Sequence, residues 1–266
     1  MTDALEDRTL EIPDSFERVR RFRFEPSPRR VRAVFANVTI ADSRRVMLLH
    51  EAKHLPIYYF PVEDVRSDLL VPSQHRSHSP TMGEASYWSV QVGERIAENA
   101  AWRYQNPPPD GPNVKDYVAF YWHAMDAWYE EDDEVFVHPR DPYHRVDVLH
   151  SSRHVRVVIA GETVAETRRP CLLFETGLPT RYYIPKLDVR MELLEPTEKT
   201  TACPYKGKAS YWTVRVGDTA AQDVAWSYPF PIPECPKIEN LIAFFNERAD
   251  IYVDGELVPK PRTPWS

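Results

Sequence analysis

The chain matches itself. A shift of 124 residues lays "YYFPVEDVRSDLLVP" (58–72) over "YYIPKLDVRMELLEP" (182–196), and "SRRVMLLHE" (43–51) over "TRRPCLLFE" (167–175). It also superposes Trp102 and Tyr104 on Trp226 and Tyr228, and Ala119–Phe120 on Ala243–Phe244. About 40 of the 96 positions from 31 to 126 are identical, without a gap. A period this long is a whole small domain duplicated, not a solenoid unit. The repeat divides the chain into a lead-in (1–29), a first copy (30–137), a connector "HPRDPYHRVDVLHSS" (138–152) and a second copy (153–260). The lead-in carries one expected short helix, over 14–21.

Within each copy the pattern favours strands. "VRVVIAGETVAET" alternates around a glycine turn, as a hairpin does. "RYYIPKLDVRMEL", "ASYWTVRVGDTAAQDVAWSY" and "LIAFFNERADIYVDGEL" are rich in β-branched and aromatic residues and broken by Gly-Asp or Asp-Gly. "DYVAFYWHAMDAWYEEDD" (116–133) hints at a helix, but its in-frame partner is hairpin-like, so both are assigned as strands. Twenty-five prolines fit short strands and irregular loops. The expectation is a mainly β protein of two homologous domains.

A net charge of −7 argues against a general nucleic-acid binder, which needs a basic surface to neutralise phosphates. The cluster Arg18, Arg20, Arg21, Arg23, Arg29, Arg30 and Arg32 is interleaved with acids and is assigned to solvated surface. No run approaches the ~18 apolar residues of a membrane helix. Cys171, Cys203 and Cys235 form no C-x-x-C unit, so neither a disulfide framework nor a zinc knuckle is indicated. The expected setting is the cytoplasm, with no membrane and no nucleic-acid partner.

The string "VRVVIAGETVAET…LLFETGLPTRYYIPKLDVRMELLEPTEKTTACPYKGKASYWTV…DVAWSYPFPIPE…IAFFNERADIYVDG" resembles the DUF427 family, a domain of unknown function. The first copy, with the connector, is similar to the tandem members of that family. The resemblance implies small β domains like the Mss4-like or β-tent folds, with two antiparallel sheets set over a pocket. Many β-tent proteins hold zinc through two C-x-x-C pairs, which this chain lacks, so no metal or cofactor is carried over. The family's label of nucleotidyltransferase has no support here: there is no Gly-rich phosphate loop ending in Lys-Ser/Thr and no paired-Asp motif.

The copies diverge where chemistry could sit. "TTACPYKGKASYW" (200–212) shares Pro, Gly, Ala, Ser, Tyr and Trp with "SHSPTMGEASYW" (77–88), but Cys203 and Lys206 replace Ser79 and Met82. A thiol becomes a nucleophile as thiolate, and a nearby cation favours that form. Lys206, in a turn shaped by Pro204 and Gly207, could supply it. The competing assignment is a small buried cysteine beside a surface lysine.

Glu175, Tyr183 and Asp188 are acid–base candidates, should the sheet gather them near Cys203. Strand alternation sends Tyr182 and Tyr183 to opposite faces. Equally, Asp188 could cap a turn or pair with Arg190. The first copy keeps these positions as Glu51, Tyr58, Tyr59, Asp64 and Arg66, which suits a structural role. Trp212, Trp226, Tyr228 and Tyr205 are candidate pocket walls for a small-molecule ligand, or else core. His75-x-x-His78 and the histidines around the connector (His138, His144, His150, His154) are weak metal candidates. "HPRDPYHRVD" is expected to pack between domains through Arg140, Asp141, His144 and Arg145.

Three functions follow as expectations. The first is a small-molecule site in the second copy, with Cys203 as thiol nucleophile. The second is a non-catalytic binding module for a small molecule or peptide. The third is a metal-dependent enzyme built on the histidines.

Overall fold

The computed structural model describes residues 22–51, 54–263 and 266. The helix expected over 14–21 lies outside them. The chain divides into two compact units between Glu134 and Val135. No described helix is long and apolar enough to cross a membrane.

The first unit contains β1 (Phe22–Pro26), β2 (Val31–Phe35), β3 (Val38–Ser43), β4 (Met47–Glu51), β5 (Ile57–Pro61) and β6 (Leu70–Ser79). It continues with β7 (Gly83–Val92), β8 (Arg95–Tyr104), β9 (Tyr117–Phe120), β10 (Ala127–Glu130) and β11 (Asp133–Glu134). A seven-stranded sheet runs β1-β4-β5-β9-β8-β7-β6, and a four-stranded sheet runs β11-β10-β2-β3. All pairings are antiparallel. The segment 116–133 is strand, a one-turn 3-10 helix (Trp122–Ala124) and strand, as its partner in the repeat predicts.

Strand alternation gives the large sheet two apolar faces. One face presents Leu48, Tyr58, Phe60, Val118 and Phe120 to Val31, Ala33, Phe35 and Trp128 of the small sheet, forming the sandwich core. The other presents Leu49, Tyr59, Ala85, Tyr87, Trp102 and Ala119. It is covered by Met82 and Val114 from loops, and by Phe22 and Phe24 of β1.

The second unit repeats this plan. Its strands are β12 (Val146–His150), β13 (Val155–Ile159), β14 (Glu162–Thr167), β15 (Cys171–Glu175), β16 (Arg181–Tyr183) and β17 (Leu194–Cys203). They continue as β18 (Gly207–Val216), β19 (Thr219–Pro231), β20 (Ala243–Phe244), β21 (Asp250–Val253) and β22 (Glu256–Leu257). The large sheet is split into β12-β15-β16 and β17-β18-β19-β20. A bridge between Ile184 and Ile242 joins the two parts, with reciprocal N–H···O bonds of 2.7 and 2.9 Å. The small sheet is β14-β13-β21-β22.

β1 and β12 occupy equivalent edge positions, paired with β4 and β15. They lie in what the repeat alone assigns to the lead-in and the connector. "FRFEP" and "VDVLH" share no residue in register, so self-comparison does not find them. What they share is an apolar side chain on the same face: Phe22 and Phe24 in one unit, Val146 and Val148 in the other.

Tyr182 and Tyr183 do point to opposite faces. Tyr182 joins the sandwich core, while Tyr183 joins the far face with Leu173, Tyr211, Trp226, Tyr228 and Ile238. A buried ion pair further ties the second unit together. Arg181 donates two hydrogen bonds to Glu247, at 2.7 and 2.8 Å, and a third to Asn246 at 3.2 Å. Its guanidinium lies 5.6 Å from the Trp226 ring and 5.7 Å from the Phe245 ring.

Candidate functional site

The site is built on the far face of the second unit's large sheet. β17 ends at Cys203, and the chain reverses through Pro204, Tyr205 and Lys206 into β18 at Gly207. Gly207 has φ of +103°, and a Cβ there would come within 3.1 Å of the Phe230 carbonyl oxygen, so glycine is required. The turn folds the Lys206 side chain inward, leaving the residue 8% exposed. Its Nζ donates to Glu175 Oε2 at 2.5 Å. Glu175 ends β15 with its side chain 6% exposed, and its Oε1 lies 3.0 Å from His144 Nε2. The His144 ring stacks on Tyr205 at 4.1 Å and 19°.

Residues of the connector thus complete the cluster. The Asp141 N–H donates to the Tyr205 hydroxyl at 2.8 Å, and Arg140 pairs with Glu234 at 3.0 Å. Arg145 pairs with Asp147. Each of these contacts lies within the second unit.

Tyrosine hydroxyls line the apolar side. Tyr183 accepts a hydrogen bond from Trp226 Nε1 at 3.2 Å, and burial drives its pKa far above the usual phenol range. Burial likewise raises Tyr228 well above it. Tyr205 is pushed up to about 12 by burial, against the opposing Asp141 N–H bond. All three are therefore protonated at neutral pH and act as hydroxyl groups, not as bases. Cys235, on the loop covering this face, is pushed up to about 11 by burial, with Lys206 opposing. Cys203 is half-buried and within electrostatic reach of Tyr183, Tyr205, Tyr228 and Cys235. His138 lies edge-on to Tyr205 at 5.9 Å, and burial holds it below the usual imidazole range.

Cys203, Lys206, Glu175, Tyr183, Tyr205, Trp226 and Tyr228 are therefore gathered in one region. Two candidates are not. Asp188 lies on the 3-10 turn Lys186–Asp188. It accepts hydrogen bonds from Thr167 Oγ1 at 2.7 Å and from Arg169 Nε and Nη2 at 3.0 Å each. Those bonds, the two from Arg169 foremost, hold its carboxyl below the usual range. Arg190 turns instead to Glu162 and Glu192. Trp212 follows Tyr211 by one residue, so alternation sends it to the sandwich core.

The sequence reading also missed His144 as a partner of Glu175. Thirty-one residues separate them, and only the pairing of β12 with β15 brings the connector alongside. Of the metal candidates, His75 packs against Tyr87 at 4.5 Å and His154 bonds Glu166 at 2.7 Å. Among the described residues, no three or more His, Cys, Asp or Glu side chains are grouped as metal ligands.

The first unit is an internal control. Glu51, equivalent to Glu175, accepts a hydrogen bond from Thr81 Oγ1 at 3.1 Å. Met82 takes the place of Lys206, and the Tyr59 hydroxyl faces its sulfur at 3.7 Å. The same fold therefore forms around a version of the cluster that keeps the carboxylate, less buried at 27% side-chain exposure and beside His54, but has no ammonium.

The molecule is thus a tandem-domain β protein whose described strands pair antiparallel and whose two copies differ in the polarity of one face. Residues 23–131 and 147–255 each match the family described as Domain of unknown function (DUF427). Together they cover most of the chain, which belongs to that family. Both matches begin within β1 and β12, the strands that self-comparison leaves out. No curated protein matches the chain significantly.

Proposed function

We propose that the second domain binds a small polar molecule at the Glu175–Lys206–His144 cluster, with the first domain as scaffold. The observation that carries this is the contrast between copies. A desolvated ion pair is costly to assemble, and the first copy stands without one at the equivalent positions, Glu51 and Met82. A carboxylate between an ammonium and an imidazole can pass a proton between a bound molecule and His144. Tyr183, Tyr205 and Tyr228 supply hydroxyls, and Trp226 an apolar wall. Three unpaired thiols suit a reducing cytoplasm.

A thiol-dependent reaction is the second reading, favoured by the half-buried Cys203 beside the cluster. Lys206 is already matched by Glu175, so thiolate activation would need that pair to open when ligand binds.

A metabolite library screened by thermal shift separates these readings. The expected hits stabilise wild type and Cys203→Ser equally, and fail on the double variant Lys206→Met/Glu175→Gln. If hits on wild type also stabilise the double variant fully, the cluster is not the site. If the hits are consumed by wild type and not by Cys203→Ser, the thiol reading holds.

A further inference from the structure

Each domain carries a surface cleft at the bend before β4 or β15, at the other end of that strand from Glu51 or Glu175, and the two clefts use the same six positions. In the second domain it follows the bend between β14 and β15, with a volume of 330 Å³. In the first it follows the bend between β3 and β4, with a volume of 480 Å³. Both are open surface depressions with charged walls.

Most of the lining is internally matched. In the second domain His154 bonds Glu166, while Arg169 and Thr167 bond Asp188. In the first, Arg30 pairs with Asp42, while Arg45 and Ser43 bond Asp64. Arg45 also reaches Glu63. These contacts knit the bend to the neighbouring 3-10 turn and explain why both copies keep them.

One residue in each cleft has no such explanation. Arg44 and Arg168 occupy equivalent positions and are exposed. Neither side chain makes a hydrogen bond or ion pair among the described residues; Arg44 only helps Arg30 hold Asp42 ionised. The matched arginines beside them have structural work, yet this position is arginine in both copies as well. A guanidinium presents a planar fork of donors that fits an oxyanion in two parallel bonds. Each cleft also contains two carboxylates, which oppose a dianion more than a monoanion.

We propose that these clefts are paired, equivalent binding sites for a small organic monocarboxylate, held by Arg44 in the first domain and Arg168 in the second. This site is separate from the Lys206 cluster and does not depend on it.

The test is NMR titration of the arginine Nε–Hε resonances of the full chain with benzoate, benzamide and phenyl phosphate. Benzoate should shift Arg44 and Arg168 saturably, and benzamide should leave them unmoved. Phenyl phosphate at pH 8 should bind more weakly than benzoate. Arg44→Gln and Arg168→Gln should each weaken benzoate binding at their own cleft at least tenfold and leave the other cleft unchanged. Both side chains are exposed, so the thermal midpoint should not move. Equal response to benzamide, tighter binding of phenyl phosphate, or saturable benzoate binding to the Arg44→Gln/Arg168→Gln double variant would each overturn the proposal.

Discussion

Lys206→Met should destabilise the second domain by about 3 kcal/mol, and adding Glu175→Gln should recover much of the loss. The first substitution removes the ammonium and leaves a carboxylate with a side chain 6% exposed, facing only His144. Removing one member of a buried pair typically costs ~3–5 kcal/mol, because the remaining charge has lost its water and its partner. Glutamine removes that charge, and methionine is what the first domain places at the equivalent position, Met82. Chemical denaturation of wild type, both single variants and the double variant closes a cycle. The expected coupling is about 2 kcal/mol. Additive single effects would mean that Lys206 and Glu175 do not interact in the folded protein.

Arg181→Ile, which installs the equivalent residue Ile57, should cost about 3–5 kcal/mol at neutral pH. It strands Glu247, whose side chain is 0% exposed. In the wild type, burial opposes ionisation of Glu247, but hydrogen bonds from Arg181 and Thr263 outweigh it and hold the carboxyl below its usual range. A depressed carboxyl pKa contributes stability that is fully present above the unfolded value, about 4.3. That contribution is lost as pH falls through the folded value. In the variant the unopposed burial raises the carboxyl instead, so acidification neutralises the stranded charge. The gap between wild type and variant should therefore shrink as pH falls, first through the variant's raised carboxyl pKa. It should shrink further below about pH 4.3, where wild type loses its own contribution, as urea denaturation at pH 7 and at pH 4 will show. An equal gap at both values would place the cost in lost packing around Trp226 and Phe245, not in the charge.

Much of this architecture can be read from the chain alone. The 124-residue shift carries the duplication, and alternation at Tyr182–Tyr183 carries the two-faced sheet. The same alternation, applied one residue beyond Tyr211, would have sent Trp212 to the sandwich core. Asp188 is harder, because the 3-10 turn that carries it breaks the strand period that would place it. His144 is harder still. Its position depends on β12, whose residues share nothing with β1 except apolar side chains on one face. The Arg181–Glu247 pair joins residues 66 apart and has no counterpart in the first copy, where Ile57 and His123 stand. Local patterns thus locate strands and faces, while polar clusters drawn from distant loops emerge only once the sheet is assembled.

The central claim is that binding resides in the second domain's Lys206–Glu175–His144 cluster and not at the first domain's equivalent, where Met82 stands in for the lysine. Chemical-shift mapping of a ligand from the library screen on the full chain tests this most directly. The account predicts saturable perturbations at His144, Glu175, Tyr183, Tyr205, Lys206 and Tyr228, with none at Glu51, Tyr59, Met82 and Tyr104. Perturbations of equal size at both sets, or at the first domain alone, would contradict it.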